Sequence, residues 1–320
     1  MHDFIRGTAR LLQLVRQVRP HIIHTALFPS NLCARLVGHL TETPVIEHLT
    51  NILHKDINLS CHIFHSAKFA IERQLNRATS RYVKVFVAVS QTVKESAIKA
   101  LSTSEKKIVV VHRGLLLEEW AISEIQDREP DLICTVGRLV PVKGHAFLIL
   151  AMKEVTKAFP QSRLVVIGDG PLRPRLEQLI DQHRLSRNIL LLGEKDQSEV
   201  KKILCKSSLF AFPSLSEGFP NSLLEAMAAS VPFVATCLPA VHEIVGHHRV
   251  GLMVPPQNFQ EMARALCHLL ACSPLERWEM GTRGRQLIEE NFDLRKIAPK
   301  WLQVYEKVIE LISLGSEGNG

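Results

Sequence analysis

The chain is poor in aromatic residues, with 2 Tyr and 3 Trp among 320 residues. They do not interleave with basic side chains as a platform for stacking single strands requires, so no nucleic-acid partner is expected. Nor is there a run of the roughly 20 apolar residues that a membrane-spanning helix needs. Stretches such as Asn188 to Gly193 and Val231 to Val241 are short or broken by proline. The opening MHDFIRGTARLLQLVRQVRP scatters Arg6, Arg10, Arg16 and Arg19 through an amphipathic helical pattern and has no uninterrupted apolar segment of an export signal. The cysteines Cys33, Cys61, Cys134, Cys205, Cys237, Cys267 and Cys272 are odd in number, lack a CxxC pair and mostly sit in apolar runs. That pattern points to reduced core residues of a cytoplasmic protein. Histidines are plentiful, but His21 with His24, His62 with His65, and His247 with His248 are joined by no Cys or carboxylate at ligand spacing, so no metal is expected.

What is present is a globular composition, 46% hydrophobic and 22% charged, in a chain long enough for two domains of roughly 150 residues each. The charge is uneven. Residues 1–125 carry 16 Lys and Arg against 10 Asp and Glu, and residues 126–320 carry 23 against 22, so most of the net +7 lies in the first part. There Lys68, Arg73, Arg77, Arg81 and Lys84 face only Glu72, with Arg73, Arg77 and Arg81 at the spacing of one helix face. Two readings stand: a solvated helix face, or a stripe that meets anionic lipid at the inner face of a membrane or a phosphorylated acceptor.

From residue 131 on, β-rich runs alternate with helical patterns: LICTV (132–136), LVVIG (164–168), ILLLG (189–193), LFAFP (209–213), PFVAT (232–236) and GLMVP (251–255). Such alternation builds a doubly wound parallel sheet. The first part repeats it at HIIHT (21–25), PVIEH (44–48), KVFVAVS (84–90) and KIVVV (107–111), behind a helical pattern from Phe4 to Val18. The expected fold is α/β, with two Rossmann-like domains at 1–125 and 126–320, joined at the charged stretch Glu118 to Asp131. The helix expected at 294–312 is a candidate to pack back on the first domain. Ligands of such sheets sit beyond the carboxyl ends of the strands, and with two domains the expected site is the cleft between them.

VGRLVPVKG (136–144) places Arg138 and Lys143 on one loop leading into a helix, two cations suited to holding a diphosphate without a metal. PSLSEGFPNSLLEAMAASVP (213–232) puts Glu217 in a loop and Glu225 eight positions later in the first turn of a helix. Two carboxylates beside helix N-terminal amides suit a ligand with both hydroxyls and phosphates. Ser222-Leu223-Leu224-Glu225 is equally a capping box, in which Glu225 folds back on Ser222. Spacing alone leaves the two readings even.

The block PSLSEGFPNSLLEAMA, with Glu217 and Glu225 as E-x7-E, resembles the signature of the retaining nucleotide-sugar glycosyltransferases of family four, which adopt the GT-B fold. TVGRLVPVKG resembles that family's diphosphate loop, VVIGDGPLR (165–173) its next strand and turn, PAVHEIVGHHRVGLMVPP (239–256) a following βα unit, and RPHIIHTALFPSN (19–31) a first-domain strand and loop. The resemblance implies that Arg138 and Lys143 bind the donor diphosphate and stabilise the leaving group. It implies that Glu225 holds the ribose, that Glu217 contacts the transferred sugar, and that Gly218, Phe219, Pro220 and Asn221 lie against the sugar and distal phosphate through their backbone. His48, ending PVIEH, matches a first-domain histidine near the anomeric centre. The implied enzyme is a hexosyltransferase-type glycosyltransferase that needs no cofactor. It would move sugar from a nucleotide-diphosphate donor to a glycan, glycolipid or lipid-linked acceptor, as in surface polysaccharide biosynthesis.

Chains of that family begin with a strand and a glycine-rich loop. Here a helical pattern comes first, so the first domain is expected to be incomplete, lacking about 60 to 80 residues or two to three βα units. Ser230 stands where the family often has glycine, and His112-Arg113-Gly114 also departs from it. Two other functions stay open: an inactive fragment or half of a split glycosyltransferase that binds donor only, and a sugar-nucleotide epimerase of similar architecture.

Overall fold

Short β-rich runs separated by helices favour parallel pairing, because a βα crossover returns the chain to the same end of the sheet. The computed structural model describes residues 2–53, 64–120 and 124–317 and contains two parallel sheets, each in its own unit. The first unit comprises residues 1–113 and 295–320, the second residues 114–294. The expected boundary at 125/126 is replaced by two crossings, at 113/114 and 294/295. Backbone pairing is the reason: Leu115 N–H donates to Phe292 O at 2.9 Å and Leu294 N–H to Leu115 O at 2.9 Å. Arg285 adds bonds to Trp120 O at 3.0 Å and Leu117 O at 3.3 Å, which stitches this connecting segment into the second unit.

In the first unit, β1 (Ile23–Ala26), β2 (Val45–Leu49), β3 (Val83–Ala88) and β4 (Ile108–Val110) lie side by side in chain order, with β1 at an edge. The intervening helices are α2 (Ser30–Thr41), α3 (Phe64–Thr79, side chains described from residue 70) and α4 (Gln91–Leu101). Crossovers of constant hand place all three on one face of the sheet. α1 (His2–Val18) joins α2 there through Leu11, Leu12 and Val15. The last helix, Leu294–Glu317, sets Ile297, Trp301, Val304, Tyr305 and Val308 at helical spacing against Ile46, Val87 and Val111.

The expected arginine stripe is not one helix face. The chain must leave α3 at Thr79 to enter β3, so Arg81 falls in a 3₁₀ turn, where its guanidinium lies 4.9 Å from the Tyr82 ring centroid and donates to the Tyr82 hydroxyl at 2.9 Å. Lys84 is on β3. Only Arg73 and Arg77 share the described part of the helix, and the Lys68 side chain lies outside the described residues.

A buried ion pair beneath this layer has no signature in the local sequence. Arg35 on α2, fully buried, donates to both carboxylate oxygens of Glu47 on β2 at 2.7 and 2.8 Å, to Asn76 O at 3.0 Å and to Thr79 Oγ1 at 2.8 Å. One guanidinium thereby joins two helices and a strand. Burial pushes the Glu47 carboxyl up while Arg35 pulls it back down. Glu47→Ala, which strands the arginine charge, should cost the first unit about 3–5 kcal/mol, whereas Arg35→Met with Glu47→Leu should recover most of that loss. Urea unfolding of the parent, single and double variants measures both.

The second unit's strands are β5 (Glu129–Val136), β6 (Arg163–Ile167), β7 (Ile189–Gly193), β8 (Ser207–Phe212), β9 (Phe233–Thr236) and β10 (Gly251–Val254), in the order β10-β9-β8-β5-β6-β7, all parallel. The order reverses between β5 and β8. α5 (His145–Ala158), α6 (Arg173–Gln182) and α10 (Phe259–Ala271) build one core layer around Leu148, Met152, Leu164, Leu176 and Leu266. α8 (Asn221–Ala228) packs against α11 (Pro274–Asn291), while α7 (Gln197–Lys206) and α9 (Pro239–Val245) complete the βα series. Every residue of β8 is buried, as in a parallel strand covered on both faces.

Of the six described cysteines, all free, only Cys134 is fully buried; Cys237 is exposed, so the expected core placement fails there, and Cys61 lies outside the described residues. Ser230, after α8, has φ 58° and a buried hydroxyl with no partner, which gives a physical reason for glycine at this position. Ser230→Gly should raise the stability of the second unit by about 1 kcal/mol, the relief of strain exceeding the added chain entropy. Its thermal midpoint reports this.

Candidate functional site

Reversal of strand order makes the loops after β5 and β8 run apart, which opens the crevice where ligands of doubly wound sheets lie. The loop Gly137 to Gly144 follows β5, and its 3₁₀ turn Pro141–Lys143 leads into α5. Gly144 has φ 68°, and an added Cβ would stand 2.0 Å from Pro213 O, so only glycine lets this loop close on the end of β8. Leu215 N–H donates to Val142 O at 2.8 Å and completes the contact. The loop after β6 closes from the other side: Leu139 N–H donates to Asp169 O at 2.9 Å and Leu172 N–H to Leu139 O at 3.0 Å. Gly168, at φ 128°, fits against Gly137 O, which a Cβ would approach to 2.2 Å.

These ties fix the polar side chains. Lys143 Nζ donates to Glu217 Oε1 at 2.6 Å, with 22% and 10% of the two side chains exposed, so a cation of one loop is paired with the carboxylate of the other. Arg138 is exposed on the same loop as Lys143. His145, buried at the start of α5, has Nε2 3.3 Å from Arg138 O, and burial lowers its pKa to about 4. It is neutral at pH 7 and supports the loop without adding charge. No motif marked it in advance, and its one signal was a histidine following Lys143-Gly144 at a helix start.

The segment after Glu217 turns its side chains inward. Phe219 is 7% exposed, its ring centroid 6.0 Å from that of Phe292, and Pro220 is buried, leaving Gly218 and the exposed Asn221 at the rim. No side chain caps α8, which begins at Asn221 after Pro220. Of the two readings left open for Glu225, the capping box with Ser222 is absent, because both residues lie inside the helix rather than at its N-cap and N3 positions. Glu225 sits in the second turn, not the first. Its carboxyl is half-buried, and burial raises its pKa to about 7, opposed by Lys201. Lys201 donates to Glu119 at 2.6 Å and lies 5.1 Å from the Trp120 ring centroid. Uncapped first-turn amides and a carboxylate on the same helix are chemically apt for an anion and for hydroxyls.

His48 belongs to the first unit, at the end of β2. It faces the last helix, 4.9 Å edge-on from the Trp301 ring centroid, beside His24, whose Nδ1 is 2.8 Å from the Tyr305 hydroxyl. Burial, with His24 and Arg113, lowers its pKa to about 4, and its Nε2 is buried without a partner. Neutral at pH 7, it can exchange hydrogen bonds but supplies no positive charge. The described residues contain no group of three or more His, Cys, Asp or Glu placed to hold a metal, and none of their helices is long and apolar enough to cross a membrane. His62 and the side chain of His65 lie outside the described residues.

The family model for glycosyl transferases group 1 matches residues 118–287, more than half the chain, and that for glycosyltransferase family 4 matches residues 2–119. The chain belongs to the group 1 glycosyltransferase family, and its two parallel-sheet units are of the GT-B type. It is 27% identical over 267 residues to the uncharacterized glycosyltransferase MJ1059 of Methanocaldococcus jannaschii, covering 75% of this chain and 62% of that protein. It is 26% identical to a phosphatidylinositol N-acetylglucosaminyltransferase subunit of Arabidopsis thaliana, covering 70% of this chain and 49% of that protein. The chain thus spans about three fifths or less of the length of these relatives. Among solved structures, Anabaena HepE in complex with UDP and glucose has the same fold, with a TM-score of 0.80, 19% identity, and coverage of 94% of this chain and 81% of that one.

Glu225 yields a test of electrostatics at this helix. Its folded-state pKa of about 7 exceeds the usual 4.5, so the fold favours the protonated form and stability is lost as pH rises from about 4.5 through about 7. Glu225→Gln, neutral throughout, should melt like the parent at pH 4.5 and above it at pH 8. Equal melting curves at both pH values would show that the carboxyl is not held protonated by its surroundings.

Proposed function

We propose that the chain transfers a sugar from a nucleotide diphosphate to an acceptor hydroxyl with retention of anomeric configuration, the donor lying over the loops that follow β5 and β8. The observation that carries this reading is the Lys143–Glu217 pair where the strand order reverses, with Arg138 exposed on the same loop as Lys143. In the reaction the bond from the anomeric carbon to the diphosphate oxygen breaks, a bond to the acceptor oxygen forms on the same face, and the acceptor's proton passes to the leaving phosphate. Charge therefore develops on the diphosphate, and fixed cations stabilise it best.

Arg138 and Lys143 take that role, without a metal or other cofactor. A diphosphate reaching Lys143 competes with Glu217, which frees that carboxylate to accept hydrogen bonds from sugar hydroxyls. Glu217 then orients the sugar and is not a covalent nucleophile. Glu225 accepts from the ribose hydroxyls, its carboxylate form being drawn out by ligand donors. The backbone of Gly218, Phe219, Pro220 and Asn221 lies against the sugar and distal phosphate. His48, on the first unit, is a neutral imidazole at pH 7 and can exchange hydrogen bonds with an acceptor hydroxyl. HepE was solved with UDP and glucose, which makes UDP the first nucleotide to try. The name of the Arabidopsis relative supports a lipid-borne acceptor.

A thermal-shift series with UDP, GDP and ADP identifies the donor, since a ligand present at about 100 times its Kd stabilises by roughly 2.7 kcal/mol. With that nucleotide, Arg138→Ala and Lys143→Ala should each weaken binding by about 1.5–3 kcal/mol in calorimetric titration. Arg138→Ala should leave the melting temperature unchanged, whereas Lys143→Ala should lower it by leaving Glu217 unpaired. If both variants bind like the parent, the diphosphate does not lie on this loop.

A further inference from the structure

The loops that follow β5 and β8 occupy one end of the second unit's sheet, and the opposite end has a cavity of its own. All six strands are parallel, so their amino ends lie together there. Pro130 is the second residue of β5, Ser208 the second of β8, and Pro232 immediately precedes β9. With Gln126, with Arg128 just before β5 and with Arg277 near the start of α11, they line a cavity of about 270 Å³. Ser208, Pro232 and Arg277 are buried while Gln126 and Pro130 are exposed, which gives the cavity a closed floor and an open rim.

Two guanidiniums thus line one small space, and every described hydrogen bond they make goes to a backbone carbonyl. Arg128 Nη1 donates to Ser207 O at 2.7 Å, and its Nη2 to Ala229 O at 2.9 Å and Ser230 O at 3.1 Å. Arg277 Nη1 donates to Leu269 O at 3.2 Å and Leu270 O at 2.9 Å. Arg277 is 6% exposed, and its Nε and Nη2 have no described partner; Arg128 Nε is buried without one. Burial lowers the pKa of both side chains, and Asp127 beside Arg128 and Asp131 beside Arg277 oppose this only through space. A charge taken out of water with no counter-ion in contact is costly, so the pair is complete only when an anion joins it.

The cavity also sets the class of anion. Two positive charges around one small space match a compact dianion, and phosphate oxygens fit the planar guanidinium fork in bidentate fashion. A phosphomonoester is close to dianionic at pH 7. Pro130 and Pro232 add carbon surface against which a short organic body can lie. At about 270 Å³ the space is just under the roughly 300–1,000 Å³ of pockets for drug-sized ligands, which leaves room for a phosphate and a few carbons. We propose that the cavity at the amino ends of β5, β8 and β9 binds a small phosphomonoester through Arg128 and Arg277. This is a second ligand site, at the far end of the sheet from the donor loops and independent of the donor reading.

Calorimetric titration of the full chain with glycerol 3-phosphate, inorganic phosphate and succinate tests it. Glycerol 3-phosphate should bind tightest, since phosphate lacks the carbon body and succinate the compact double charge. Arg277→Gln should weaken it about tenfold or more. Because Arg277 also holds the end of α10, the exposed Gln126 supplies variants that leave the fold intact. Gln126→Glu should weaken binding and Gln126→Lys tighten it, each about threefold. Arg138→Ala with Lys143→Ala should bind glycerol 3-phosphate like the parent, because both residues lie at the other end of the sheet. Four results would overturn the site: no binding of glycerol 3-phosphate, equally tight binding of phosphate or succinate, parent-like affinity in folded Arg277→Gln or in both Gln126 variants, or loss of binding when Arg138 and Lys143 are replaced.

Discussion

The reversal of strand order between β5 and β8 is the constraint on which the rest of the second unit depends. A parallel sheet must be covered on both faces, so the chain winds outward first in one direction and then in the other. Where it changes direction, two neighbouring strands send their loops to opposite faces and no crossover fills the gap. The gap is shaped by close backbone contact: Gly144 against Pro213, Gly168 against Gly137, and Leu215 bonded to Val142. Those contacts set Lys143 on Glu217 and leave Arg138 at the surface. A site preorganised in this way resides in glycines and main-chain bonds as much as in the charged residues it presents.

Arginine serves two purposes in this chain. Buried Arg35 and Arg285 each spread several donors over carboxylates or helix-end carbonyls from separate elements, a task for which a planar fork with five N–H groups suits and a lysine does not. Exposed Arg138, Arg73 and Arg77 turn the same fork toward the surface. Composition cannot separate the two groups, since all count equally toward the net charge. Burial separates them, and burial is a property of the packed layers.

The strands of the second unit were legible because each is a short apolar run with Gly or Pro at one end, and both sheet faces demand such runs. ILLLG matches β7 at both ends. Arg138, Lys143, Glu217 and Glu225 could be listed from motif and spacing. That Lys143 is paired and Glu225 uncapped could not, because the first depends on two loops 74 residues apart in sequence and the second on where α8 starts. The arginine stripe misled for a related reason: i, i+4 spacing persists in the letters beyond the point at which the chain turns at Thr79. His24 and Tyr305 carried no local signal of their pairing, since they meet across 281 positions of sequence.

By itself, then, the sequence determined the α/β class, the succession of strands and helices, the excess of positive charge near the start and the residue types of a candidate diphosphate site, because each of these is local or additive along the chain. The tertiary structure decided which strands are neighbours, where the order reverses, that the last helix seals the first unit's sheet, and which charges are spent on one another. Those outcomes depend on contacts between residues far apart in sequence. Their energies come from burial and geometry, which no periodicity in the letters records.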